Sequence, residues 1–546
     1  MSSRSKPLAL TVSAVVSALA LLFTACAPKE RPVDVGARDG VLHLANSAEP
    51  ADLDPQTISG RVESQIVYAL IEGLVAYDPV DLSPVPGVAE RWELSEDGRT
   101  YTFHLRADAR WSNGDPVVAQ DFVRSWQRML TPALAADYAY MLFYVDGAEE
   151  YYTGTRTDFA QVGFRALDAR TVEIRLKERV AFFLELICHY AWYPVHVPTV
   201  EKFGGLERKG TAWTRVGNFV GNGPFVLEEW RPNQRITVAK SPTYWDRDTV
   251  RLNRIVYYPV ENQETVERMF RTGQLHVTDS VPLSKIETYR RDHPELIHIH
   301  PYLGTMYARV NITTPHLRDA RVRRALAYAI DREVLTTHVN RSGKIPAYAI
   351  TPPGAGGFVP PEGFRGTIEQ ARALLAEAGH PGGQGLGRIE MLFPTSENGR
   401  LIAEAIQEMW RTQLGVDVQL VNQEWKVYLD SMNTLNYQIA LGVWIGDYPD
   451  PYTFLDLFKS NSGNNRTGFS DTEYDRLLAE ALAAPDDARR MAIYTRLEEI
   501  LAEQAPLLPV YFYSSVELIH PSVRGWHPTI LDLHPFKHVW LEPVAE

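Results

Sequence analysis

One stretch alone, Leu8 to Phe23, is apolar and unbroken by charge, and nothing like it recurs in the rest of the 546-residue chain. It is shorter than the roughly 18–20 apolar residues that span a bilayer comfortably. Met1-Ser-Ser-Arg-Ser-Lys6 precedes it with two positive charges and no acid, and Thr24-Ala25-Cys26 follows. A basic start, a short apolar stretch and small residues before a cut are what a secretory leader needs, so residues 1–25 read as a signal peptide. The alternative is a lone membrane-anchoring helix. Either way the remainder has to bury its own core as a globular body, and a chain of this length can do so without staples.

Leu22-Phe23-Thr24-Ala25-Cys26 resembles a bacterial lipobox, in which the cysteine thiol is acylated and becomes the mature N-terminus; Phe23 departs from the aliphatic residue usual there. A multiply acylated cysteine anchors firmly, because each buried CH₂ contributes about 0.8 kcal/mol. The Pro/Gly-rich residues 26–40 then read as lipidated Cys26 and a tether. The only other cysteine, Cys188, sits in the apolar run Ala181–Tyr190 and reads as a buried structural thiol. With Cys26 acylated, no intrachain disulfide forms.

The formal net charge of −13 and the absence of basic stripes argue against nucleic acid as a partner. A hydrophobic content of 45% with 11% aromatics is that of a folded chain. Strand and helix patterns interleave from Val41 onward. Val41–Ala45 alternates like a strand, and Tyr101, Phe103 and Leu105 form one arm of a hairpin after Ser95–Gly98. Residues 117–130, 323–334, 368–378 and 400–413 carry helical spacing. Residues 389–393 and 417–421 read as strands, and 470–503 as two helices parted near Pro485. The fold class is α/β.

Catalytic signatures are missing. No G-x-x-x-x-G-K-[ST] loop is present, so any ATP chemistry belongs to another chain. There is no H-E-x-x-H and no G-x-S-x-G. His298 and His300 share a strand face, but no acid adjoins them in sequence, and they read as surface or edge histidines. Cys188 beside His189 makes a poor dyad, since neighbours on one element point apart. Neither an enzyme nor a cofactor is expected, and a secreted peptidase lacks a nucleophile or metal set.

Ordered blocks run over nearly the whole mature chain: Pro86–Trp92 with Tyr101–Arg106, Trp111–Pro116, Ala119–Arg128, Gly221–Phe225, Ser241–Trp245, Asp319–Leu326, Val421–Trp425, Trp444–Tyr448 and Pro509–Tyr511. They resemble the peptide-binding members of the extracellular solute-binding proteins of ABC importers, family 5, the peptide/nickel type. The resemblance implies a two-lobed periplasmic-binding-protein-like clamp with an inserted subdomain. Domain I would comprise 41–71, 197–303 and 515–546, domain II 72–196, and domain III 304–514. It further implies a monomer, tethered in the periplasm or cell envelope, that captures short peptides between its lobes and delivers them to permease and ATPase subunits.

Such a receptor reads what all peptides share, the backbone and the charged ends. The resemblance gives Asp447 the ligand's α-ammonium. It places Tyr138, His189 and Arg61 on the first lobe's side of the cleft, and Trp425, Trp444, Gly446, Asn464 and Gly304 on the other. Where relatives hold cations for the carboxylate end, this chain has Asn340, Gly399 and Leu441, with Arg341 and Arg309 nearby. Murein peptides, dipeptides or another amine ligand therefore stay open, as does a signalling or chaperone-like lipoprotein.

Overall fold

The alternation in Val41–Ala45 buries Leu42 and Leu44. In the computed structural model, which describes residues 30–460 and 462–544, that strand pairs in parallel with Arg254–Tyr258. Arg235–Lys240 and Phe225–Arg231 extend it antiparallel into a four-stranded sheet. A second four-stranded sheet forms from Ala89–Leu94, Thr100–Leu105, Thr171–Arg175 and Phe164–Asp168. Its inward-facing Tyr101, Phe103, Val172 and Ile174 lie in one core with Phe122, Trp126 and Met129 of the helix Ala119–Met129.

The third sheet has six strands, in the order Ile345–Pro346, Leu507–Leu518, Ile297–Val310, Ile439–Ile445, Ile389–Pro394, Val418–Gln423. Two of them are long, and they pair antiparallel in two stretches. Ile297–Pro301 lies along Ser514–Leu518, and Thr305–Arg309 lies along Leu507–Phe512, with a register break between Pro301 and Thr305. Pro301 has no N–H to donate, so the ladder is weakest there. Before the break Ile297, Ile299 and Leu518 pack with Ala45, Leu275 and Ile286 of the first lobe. After it, Met306, Ala308 and Val310 enter the core of the other lobe. The molecule is thus an α/β clamp of two lobes with two strands crossing between them.

Three readings need correction. The tether expected over 26–40 is not extended where it is described: Pro32–Asp39 is a helix with Val33 fully buried. Pro32 and Gly40 are not loop markers there but the N-terminal proline and left-handed C-terminal glycine (φ 69°) of a helix. Gly36 lets the helix approach Val41, where a Cβ would lie 2.4 Å from the carbonyl oxygen. The leader and Cys26 lie outside the described residues. The helix expected over 323–334 stops at Tyr328 and restarts at Arg332. Asp331 caps the new start, and buried Arg332 donates to the carbonyls of Ala327, Ile330 and Pro509, which holds the break open. Finally, His300 is not a surface histidine: its side chain is 9% exposed and contacts Asp532.

Cys188 is fully buried and donates to Leu184 O, which suits a structural thiol. Between the insert and the first lobe lies a buried ion pair. The Arg128 guanidinium, at the end of its helix, donates to both oxygens of Asp54 (3.0 and 2.6 Å), to Gln56 Oε1 and to Leu206 O. No helix among the described residues is long and apolar enough to cross a membrane.

Candidate functional site

The strand Ile439–Ile445 carries Trp444 to the edge of the cleft, opposite Thr305. Gly446 then donates its N–H to Leu303 O at 2.8 Å; a side chain there would meet Leu303 Cδ2 at 2.6 Å, so only glycine lets the chain turn this close. The turn delivers Asp447, whose N–H donates to Thr453 Oγ1.

Asp447 accepts from Tyr138 Oη (3.2 Å) and Tyr140 Oη (2.9 Å), both on the insert. No cation stands within ion-pair distance of it among the described residues. Desolvation raises its pKa to about 6, against the pull of the two hydroxyls. Nearby Asp456 is pushed up to about 7, by desolvation first and by the charge of Asp447 second. Two neighbouring carboxylates in poor solvent, Asp447 with only phenols as hydrogen-bonding side chains, make this end of the cleft a place for a cation.

Behind the phenols, Tyr138 packs against His189 (ring centroids 5.0 Å) and Tyr190 (5.8 Å). Burial lowers His189 to about 3, and its Nδ1 accepts from the Ala191 N–H, so the imidazole is neutral with its proton on Nε2. A cavity of about 660 Å³ opens in front, lined by Arg61, Tyr138, His189, Trp425, Trp444 and Asp447 among others, with Gly446 on its wall. Trp425 is 56% exposed and stacks on Tyr428, so it is no core residue. Trp444 Nε1 is buried and has no hydrogen-bond partner among the described residues.

Arg61 closes the far wall and is already paired. Its guanidinium lies 2.5 Å from Asp532 and 3.9 Å from Glu517, and Asp532 also meets His300 and His534. The Arg61 charge holds Asp532 far below the carboxylate range, although burial opposes it, while burial pushes Glu517 well up. His300, Glu517 and Asp532 have metal-ligand spacing, but Arg61 supplies the positive charge their oxygens need.

Two expected residues do not line the cavity. Gly304 lies beside it in the sheet, opposite Ile445, where a Cβ would fall 2.4 Å from that side chain. Asn464 is exposed on a loop. Residues that sequence reasoning missed are Tyr140, whose ring is 42% exposed, and Tyr302. The Tyr-Ala-Tyr spacing at 138–140 was the available signal. At the other end Asn340 is spent on Asn398 and Ser342, Gly399 donates its N–H to the capping hydroxyl of Ser396 in the first turn of a helix, and Leu441 is buried. None offers a charge. The lobes meet across the cleft as well: Phe182 stacks on Tyr448 at 5.0 Å, and Arg179 donates to Pro485 O.

The chain is similar in sequence and fold to known proteins. The periplasmic oligopeptide-binding protein OppA of Escherichia coli K12 is 38% identical over 490 residues, 88% of each chain. The structure of the E. coli murein tripeptide-binding protein MppA superposes with a TM-score of 0.78 at 35% identity, over 92% of this chain and 98% of that one. Haemophilus influenzae OppA in complex with the peptide RPPGFSPFR gives 0.75 at 33% identity, over 92% and 99%. The sequence model for bacterial extracellular solute-binding proteins, family 5 Middle, matches residues 83–466. With that match spanning most of the chain, the protein belongs to family 5 of the bacterial extracellular solute-binding proteins.

Proposed function

We propose that this chain is the capturing receptor of an ATP-driven importer, holding short peptides by their free amino end and delivering them to permease and ATPase subunits. The observation that carries this reading is Asp447, a desolvated carboxylate facing a cavity with two phenols and, among the described residues, no cation for partners. A peptide ammonium supplies the missing charge, and the Trp444 indole N–H meets a backbone carbonyl. Similar receptors named for oligopeptides and for murein tripeptide support the ligand class. Titration calorimetry with a free-amine tetrapeptide and its N-acetylated form tests it. Acetylation is expected to abolish tight binding, and equal affinities would overturn the reading.

A second reading, a cell-wall peptide with an unusual far end, is favoured by the uncharged Asn340, Gly399 and Leu441. Mass spectrometry of ligand that co-purifies with the protein separates the two. The receptor works as a monomer, exported and held to a membrane by acyl chains on Cys26. Cys26→Ser is expected to shift it from the membrane pellet to the soluble fraction; a variant that still pellets would remove the lipid anchor.

A further inference from the structure

Only Ala27-Pro-Lys-Glu-Arg31 stands between Cys26 and the helix Pro32–Asp39, and that helix is part of the folded body. At its start Val33, fully buried, donates its N–H to Gly273 O at 3.1 Å. His276 Nδ1 accepts from the His43 N–H at 3.0 Å, so its proton sits on Nε2 and goes to Val33 O at 3.1 Å. In the middle, Gly36 lets the His276 ring approach; a Cβ there would lie 2.8 Å from its Cε1. At the end, the Asn253 side chain donates to Asp39 O (2.9 Å) and its backbone N–H to Gly40 O (2.7 Å). The helix is thus pinned along its whole length to the first lobe.

An extended chain spans at most about 3.3–3.6 Å per residue, so the start of the helix lies within about 20 Å of Cys26. A globular chain of this length is about 60 Å across. A body on a leash a third of its own width cannot turn over, and the face around Arg31 and Gly273 stays toward the anchor. With the helix unravelled, the leash from Cys26 to Val41 would reach about 50 Å and any face could turn to the membrane. Exposed Arg31, Arg38 and Arg271 on this face are paired with Asp34, Glu30 and Glu267. Paired charges gain little from an anionic surface, so the leash and not charge fixes the contact. The strand Val41–Ala45 runs from the helix into the lobe, and Leu44 and Ala45 at its far end line a small pocket with Arg61, the cavity wall. Helix and cleft therefore lie at opposite ends of this strand, and a membrane against the one leaves the other open.

We propose that the docked helix Pro32–Asp39 holds the first lobe on the membrane with one face toward the lipid headgroups, so that closing the clamp swings the second lobe against a lobe that stays on the surface. The proposal rests on the acylation of Cys26 read above.

The test is energy transfer from the protein to acceptor-labelled headgroups. Gln274, exposed beside the helix, and Ala376, exposed on the second lobe, are replaced one at a time by cysteine and carry the donor; Cys188 is fully buried and takes no label. The acylated full chain is reconstituted in phosphatidylcholine vesicles. Transfer is expected to be about twofold or more stronger from Gln274→Cys than from Ala376→Cys, because the leash is short against the width of the body. The same ratio is expected on phosphatidylglycerol. A Gly/Ser spacer of roughly forty residues inserted after Lys29 is expected to bring the two signals together. Equal transfer from the two sites without the spacer overturns the proposal, as does a difference that the spacer leaves intact. A difference seen only on phosphatidylglycerol assigns the orientation to charge and overturns the leash. Protein that does not float with the vesicles removes the anchor and the orientation together, whereas protein that floats with equal signals overturns the orientation alone.

Discussion

Asp447→Asn is expected to weaken binding of a free-amine tetrapeptide by about two to four decades in Kd. Losing one partner of a buried ion pair costs roughly 3–5 kcal/mol, and each 1.4 kcal/mol is a factor of ten. The substitution keeps shape, and its amide oxygen still accepts from one phenol while its NH₂ faces the other as a donor, so what the ligand chiefly loses is the charge. It is not expected to lower the melting temperature of the empty receptor, because the asparagine has no charge to desolvate. A pH profile gives the second readout. Desolvation raises the Asp447 pKa from 3.8 to about 6, and the ammonium binds only the ionised form. Affinity in the wild type should therefore be about half its full value near pH 6, approach full value about one unit above, and fall about tenfold per unit well below it. On the alkaline side it declines as the amine loses its proton, near pH 7.7–8.0. In Asp447→Asn the acid limb should vanish. Calorimetry showing a retained limb, or an unchanged Kd, would remove Asp447 from the amine site.

Which parts of this site were legible in the sequence follows from the range of the forces involved. Local periodicity marked the strands at Val41–Ala45 and Thr100–Leu105 and the paired helices on either side of Pro485, because burial of one face is written in consecutive residues. Asp447 was found through the family resemblance of the Trp444–Tyr448 block, and no local pattern by itself marks it as a ligand residue. Tyr140 was not, since its partner is on the opposite lobe and its segment has no regular period. The Arg61–Asp532–His300 cluster assembles from three distant segments, and nothing near His300 in sequence announces an acid. Composition misled at residues 32–40, where proline and glycine occupy the two ends of a helix. The break before Arg332 depends on Pro509 accepting from its guanidinium, a contact no local pattern encodes.

Arg128→Ala is expected to cost roughly 3–5 kcal/mol of stability, because it leaves the Asp54 carboxylate buried and unpaired. Both side chains are at most 1% exposed, and the guanidinium donates to Asp54, Gln56 and Leu206 at once. The pair joins the last turn of the insert helix Ala119–Met129 to the loop that follows the first strand. It is therefore expected to hold the insert to the first lobe, and so to support the placement of Tyr138 and Tyr140 against Asp447 across the cleft. Denaturant unfolding should show the first transition shifted down in Arg128→Ala and in Asp54→Ala. The Arg128→Met/Asp54→Leu double variant should lose much less than the sum of the two, since replacing both charges leaves none stranded. Additive losses would mean that the ion pair contributes nothing beyond its separate contacts. Where the insert is loosened, peptide affinity should fall with stability even though neither residue touches the cavity. Full affinity in a destabilised Arg128→Ala would show that the insert finds Asp447 without this link.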